Sequence, residues 1–398
     1  MEHGTVKPLP MKELFFLVLS ASGGAGHHRA GEALKQSASK TKLPIRIEHY
    51  DCLDFTSKFF KRLYSETYLQ MVNKAPELWG YLYSKAEAKP YRKKGLLEVF
   101  DYFNYRQYIK FLQASNADAI LCTHFLPFIS ISNEVLRAGI QSPFFAATTD
   151  FDVHQYWVDP IIQRYYVYDR ESAWQLQAKG VPKEKVVITG IPLMPEFATK
   201  ANSSSLRTRF RLEKKAFTVL LASGGFGVGR VHEIVLSVVQ AFEHYPKKTF
   251  NLMIVCGNNE ELSLKVNQLS YPPNVVVKIF GFVNNMHELM DASDVLISKA
   301  GGLTSAEAMA KGLPMIIVDP IPGQESRNAG IITEHGAGWQ ALDYHNLRYK
   351  LERLINDPDL LRRAREATQS LAKPKAAVAI LEDVYSSLQP KSKIGERT

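Results

Sequence analysis

Apolar positions along this chain come in short, nearly unbroken runs. Each run leads into a turn and then into a longer segment with apolar residues at helical spacing. Runs of this kind are what strands buried on both faces of a parallel sheet look like. They predict strands at residues 12–20, 45–49, 119–123, 144–148, 164–168 and 185–189, and again near Thr218, Phe250, Val275, Val295 and Met315. A helical pattern closes the chain over residues 346–388. Two of the strands lead into similar loops: residues 22–26 read SGGAG and residues 223–227 read SGGFG, each followed by a helical stretch. A repeated opening of strand, glycine loop and helix predicts an α/β fold of two Rossmann-like halves with a cleft between them. The boundaries expected are a first domain over 1–198, a small polar linker over 199–206, a second domain over 207–375, a last helix at 376–388 that crosses back to the first domain, and a disordered tail at 389–398.

Most of the candidate chemistry lies in residues 295–328, VLISKAGGLTSAEAMAKGLPMIIVDPIPGQESRN. In an open parallel sheet the loops beyond the carboxyl ends of the strands hold the ligand, and these loops carry Lys299, Gly301, Gly302, Thr304, Glu307, Gln324, Glu325 and Asn328. A helix starting after the glycine pair aims unpaired N–H groups and a positive dipole end at whatever sits above it, which favours a diphosphate, and Lys299 adds a full charge. Glu307, one turn into that helix, can accept two hydrogen bonds from a ribose diol. Gln324 and Glu325 can bind sugar hydroxyls, so the set suits a sugar nucleotide. An ordinary βαβ unit with polar loops is the competing reading.

The stretch KAGGLTSAEAMAKGLP followed by PIPGQESRNA resembles the donor-site signature of the inverting glycosyltransferase family, family 28, that contains the monogalactosyldiacylglycerol synthases and the processive diacylglycerol glucosyltransferases. The bacterial lipid-intermediate N-acetylglucosaminyltransferase is a more distant relative. The resemblance implies the two-lobed GT-B fold, UDP-glucose or UDP-galactose as donor, and diacylglycerol as acceptor. It implies that Gly24 and Gly26 in the first glycine loop, and Gly224, Gly225, Phe226 and Gly227 in the second, lie against the donor. Phe282 and Val283 match where relatives hold the uracil edge with main-chain atoms. The family's GxGH pattern falls on Gly24, Ala25, Gly26 and His27, and its TD-x-x-x-H-x-x-W stretch puts Asp150, His154 and Trp157 on the acceptor side.

His27 also stands on its own chemistry. An acceptor hydroxyl is a poor nucleophile and needs a base as it attacks, and a neutral imidazole at a helix start is suited to that. A histidine that merely caps its helix is the alternative. Asp150 is expected either to orient His27 or to act as the base itself, and Trp157 to offer an apolar wall to a glycerolipid. A loop held by an aspartate turn and a buried ring is the other reading of residues 146–157. No DxD or other carboxylate pair suggests a divalent metal at the phosphates, so no metal or other cofactor is expected, and Lys299 and helix termini stabilise the leaving group.

Composition narrows the partners. The chain has 398 residues, 45% hydrophobic and 22% charged, with a net charge of +9. Residues 57–111 carry eleven basic residues against five acids, so two-thirds of the net charge sits there among many aromatic rings. Amphipathic helices of that composition can lie in a bilayer interface, and Arg92, Lys93 and Lys94 are the expected contacts with an anionic lipid surface. Helix packing is the alternative for the rings, with some expected to do each job. Aromatic rings among basic residues also occur in binders of single-stranded nucleic acid, but no such motif accompanies them and no nucleic-acid partner is expected. Three widely spaced cysteines predict reduced core thiols. The apolar run at residues 14–19 is far short of the ~20 residues of a membrane span, and no signal peptide precedes it. The expectation is a cytoplasmic protein, peripheral on the inner face of the membrane. Transfer of N-acetylglucosamine to a polyprenyl lipid, a UDP-sugar 2-epimerase and a UDP-sugar-binding sensor are the rival readings.

Overall fold

The structure, a computed structural model, describes residues 12–22, 25–57, 61–62, 75, 77–78, 80–81, 85, 96–131, 139–222 and 230–389, with only the backbone described for 96–104. Its strands form two separate six-stranded sheets, parallel throughout. The first is ordered β2-β1-β3-β4-β5-β6, from β1 (Leu14–Ser20), β2 (Ile45–Asp51), β3 (Ala119–Cys122), β4 (Phe144–Ala147), β5 (Ile162–Val167) and β6 (Val186–Ile188). The second is ordered β12-β11-β10-β7-β8-β9, from β7 (Phe217–Ala222), β8 (Phe250–Val255), β9 (Val275–Phe280), β10 (Val295–Ser298), β11 (Met315–Ile317) and β12 (Gly338–Gln340). Central strands are apolar on both faces because both faces are covered: Leu17, Val18, Ile120 and Leu121 in one sheet and Leu252, Met253, Leu296 and Ile297 in the other have no exposed surface. The apolar runs therefore mark the strands well. The sequence pattern does not predict β12, which is three residues paired to β11 by backbone bonds.

In each sheet the strand order reverses once, between β1 and β3 in the first and between β7 and β10 in the second. The loops leaving the strands on either side of such a point diverge and open a crevice. The first crevice is bordered by the start of the helix Ala25–Ser37 and by Thr123 and His124 after β3. The second is bordered by Lys299 and the start of the helix Gly302–Lys311 after β10. That helix stops cleanly because Gly312 adopts a left-handed conformation, φ 69°, and its N–H closes the last turn on Met309.

The two lobes share an apolar seam, in which Ala30, Phe151 and Tyr168 pack in one cluster with Leu303, Ala306 and Ala329. The connecting segment is tied to the far end of the Gly302–Lys311 helix. Lys311, nearly fully buried, pairs with buried Asp291 at 2.9 Å and also donates to the carbonyls of Glu196 and Thr199. Within the expected linker a helix begins, Ser203–Arg209, and its Arg207 binds Asp294 and the carbonyls of Ala292 and Ala216 in the second lobe. The last helix, Ala376–Leu388, lies on the first sheet. Ile380, Leu381 and Val384 cluster with Phe16, Val18 and Tyr166, and Asp383 takes a forked pair of bonds from Arg164 at 2.6 and 2.7 Å. All three cysteines are free and buried.

The rings of the aromatic, basic segment divide. Tyr105 and Tyr108, on the helix Leu96–Ser115, are buried in the first lobe's core, with the Tyr108 hydroxyl on Pro127 O at 2.9 Å, and Phe111 stacks on Phe55. These pack a helix onto the sheet. Leu78 and Tyr81 are exposed. Arg92, Lys93 and Lys94 lie outside the described residues.

Candidate active site

The helix carrying His27 begins at Ala25, so His27 belongs to its first turn. The imidazole does not cap that helix. Its Nδ1 lies 3.0 Å from the carbonyl of Thr123 and 2.8 Å from Thr149 Oγ1, groups at the ends of β3 and β4, and Thr123 Oγ1 donates to the His27 carbonyl at 2.9 Å. A carbonyl can only accept, so Nδ1 carries the hydrogen. Burial lowers the imidazole pKa below its ordinary value, against the pull of Asp150 and the Thr123 bond, which keeps the ring neutral and leaves the lone pair on Nε2. His124 stands edge-on to it with ring centroids 4.4 Å apart. Its own Nδ1 accepts from the Leu126 N–H at 2.9 Å, and burial, with His27 beside it, holds its pKa well down.

Across the cleft, the start of the Gly302–Lys311 helix meets the loop after β4. A β-carbon at 302 would lie 2.0 Å from Thr149 O and 2.7 Å from Asp150 Oδ1, so only glycine lets the two lobes touch here. Glu307 sits on the next turn, 4% exposed, and accepts from Arg29 at 3.2 Å. Burial pushes its carboxyl up to about 7 in spite of that guanidinium. Glu325 is likewise pushed to about 7 by burial, while the Ile321 N–H on its Oε2 at 2.8 Å and nearby Lys299 pull the other way. Lys299 and Thr304 are half-buried on the same crevice, and Gln324 begins the helix Gln324–Glu334.

Asn328 is engaged between the lobes. It is fully buried, accepts from the Phe151 N–H at 3.0 Å, and donates to Asp150 Oδ1 at 2.9 Å and to Ala300 O at 3.0 Å. With its acceptor and both N–H groups engaged, it pins the lobes together and offers nothing to a sugar in this state. Asp150 is correspondingly bound to Asn328, and the groups that hold the His27 ring are Thr123 and Thr149. Burial raises the Asp150 carboxyl, opposed by the Asn328 bond and by His27. Asp152 extends the latch to Arg327 at 2.6 Å.

His154 and Trp157 lie inside the first lobe. They are 2% and 3% exposed. His154 caps the short turn Gln155–Trp157 through its Nδ1, and the indole packs beside Phe125 and Phe128 in the first lobe's core, so neither forms an open wall. The half-buried rings nearest the histidines are instead Phe125, 4.1 Å from His124, and Tyr156, 5.1 Å from Phe125. Phe282 is 56% exposed and Val283 half-buried. Gly26 is described, whereas Gly24, Gly224, Gly225, Phe226 and Gly227 lie outside the described residues. Spacing does not single out Thr123, Thr149, His124 or Arg29. Their only sequence signal is position, next to a strand end or a motif histidine.

Residues 27–193 match the family model described as monogalactosyldiacylglycerol (MGDG) synthase, and residues 218–383 match the glycosyltransferase family 28 C-terminal domain. The processive diacylglycerol beta-glucosyltransferase of Bacillus cereus (strain B4264) is 30% identical over 371 residues, which cover 93% of this chain and 93% of that one. The chain belongs to this family of glycosyltransferases. A second member, from Bacillus mycoides (strain KBAB4), is 29% identical over the same coverage, 93% of each chain. Among solved structures this glycosyltransferase resembles Acinetobacter baumannii MurG, with a TM-score of 0.61 at 14% identity over 94% of this chain and 99% of that one. The UDP-GlcNAc 2-epimerase of Neisseria meningitidis, bound to UDP-GlcNAc, gives 0.60 at 14% identity over 94% and 99%. The fold is GT-B, and transferases and epimerases share it.

Proposed function

We propose that this glycosyltransferase moves a hexose from UDP-glucose or UDP-galactose to the free hydroxyl of diacylglycerol with inversion, giving a β-linked glycolipid. The observation that carries the reading is the His27 imidazole, neutral and with its lone pair on Nε2, set across the cleft from the donor helix at Gly302. The acceptor and the glucosyl group are named after relatives that cover 93% of the chain. In the reaction the acceptor oxygen attacks the anomeric carbon from the side opposite the UDP and gives its proton to His27 Nε2. The bond from that carbon to the β-phosphate oxygen breaks, and UDP leaves with the electron pair, its charge met by Lys299 and the Gly302 N-terminus. Glu307 takes the ribose diol and Glu325 with Gln324 the sugar hydroxyls. No divalent ion enters this scheme, so a chelator is expected to leave the rate unchanged.

Among the described residues no helix is long and apolar enough to cross a membrane. In the proposed scheme the chain meets its lipid at an anionic surface through residues 57–111, and vesicle binding weakens as salt rises, since near-surface charges are screened over roughly 8 to 10 Å. The deciding experiment incubates purified protein with each of UDP-glucose, UDP-galactose and UDP-N-acetylglucosamine and diacylglycerol in mixed micelles, then identifies products by mass. A hexosyl-diacylglycerol supports the reading, and free epimerised sugar nucleotide or no turnover overturns it.

A further inference from the structure

Arg29 has no part in the scheme above, yet it occupies the donor carboxylate. From the helix Ala25–Ser37 its Nη2 reaches over the cleft to Glu307 Oε1 at 3.2 Å, while its Nε is buried without a hydrogen-bond partner among the described residues. Gly26 and Leu303 show how closely the two helices approach, since a β-carbon on Gly26 would lie 3.7 Å from that of Leu303. Two helix N-termini and two cations therefore converge here, with Arg29 beside Glu307 and Lys299 beside Glu325. A buried donor left unmade costs free energy, and an anion at this Nε would recover it.

A ribose diol that takes both oxygens of Glu307 forces Arg29 off Oε1. The released guanidinium is a planar fork of N–H donors suited to phosphate oxygens, and it is left beside the helix end that draws the diphosphate. We propose that Arg29 is a ligand of the donor diphosphate, parked on Glu307 while the cleft is empty and transferred to the phosphates when ribose binds. This rests on Glu307 being the ribose ligand. The competing account makes Arg29–Glu307 a permanent brace between lobes.

Calorimetric titration of the whole chain with uridine and with UDP separates the two. Arg29→Gln is expected to weaken UDP by roughly 10- to 100-fold, the usual range for a charge-assisted hydrogen bond, and to leave uridine unchanged or bound more tightly because Glu307 is freed. Arg29→Lys, which keeps the charge, should retain part of the preference for UDP over uridine. If the UDP-to-uridine affinity ratio of Arg29→Gln equals that of the parent, Arg29 is a brace and the proposal is wrong. The ribose assignment is read separately from Glu307→Gln, where loss of uridine affinity supports it and parental uridine affinity overturns it, whatever the ratio in the Arg29 variant.

Discussion

The two helix starts that face each other across the cleft are built alike and used differently. Ala25–Ser37 and Gly302–Lys311 each follow a parallel strand at the point where their sheet reverses order, and their starts meet across the cleft, where a β-carbon on Gly26 would lie 3.7 Å from that of Leu303. The first lobe puts a histidine in the opening turn and holds it through β3 and the loop after β4, so this end can accept a proton. The second puts Gly302 there, which leaves backbone donors open to an anion and lets Thr149 and Asp150 come within van der Waals reach. In the proposed reaction one supersecondary unit thus serves proton transfer in one lobe and anion binding in the other, and what divides the proposed roles is the first-turn side chain.

The strongest way to break that division is at His27. His27→Ala should lower turnover by roughly 10²- to 10⁴-fold and leave UDP affinity close to the parent's, because it leaves every proposed donor ligand in place. Asp150→Asn should cost less, since Asp150 is engaged with Asn328. Initial rates in mixed micelles decide it: an inactive Asp150→Asn beside an active His27→Ala would make the aspartate the base. Next comes Gly302→Ala. The added methyl has nowhere to go against the Thr149 carbonyl, so the lobes must separate by an ångström or more, and a displacement of that size can cost about 10²-fold in rate. Steady-state kinetics should show kcat falling more than UDP affinity, and a parental kcat would mean that the lobes do not meet this way during transfer.

Glu307→Ala tests the anion-binding half. A charge-assisted ribose contact is worth about 1.5 to 3 kcal/mol, and the loss should fall near the lower figure because ribose has to displace Arg29. Calorimetry with UDP measures it. The smallest effect expected is with pH. Burial holds the Glu307 and Glu325 carboxyls at about 7 against an ordinary value of 4.5. Between those values the folded chain keeps protons that the unfolded chain has released, so each group makes the fold less stable as pH rises through that window. Ionised Glu307 is the better acceptor for a diol, and uridine affinity should therefore rise several-fold from about pH 6 to 8. Titrations of the parent should show that rise, and Glu307→Gln should flatten it.

Periodicity and punctuation in the sequence were enough to place eleven of the twelve strands among the described residues, the helix that starts at Gly302 and the histidine near the first helix start. These are local properties: an apolar run is buried wherever it goes, and a glycine pair before a helix shapes its start within a few residues. Pairings were a different matter. His27 takes its tautomer from Thr123 and Thr149, Glu307 meets Arg29, Asn328 is spent on Phe151 and Asp150, and Lys311 closes on Asp291 and the segment joining the lobes. Trp157 and His154, legible as a motif, went into the core because Phe125, Phe128 and the turn at Gln155 close over them. A side-chain pattern records that a position is buried or polar and carries no record of which distant group it will face. The partners are set by how two sheets and the helices between them pack, and only the tertiary structure holds that.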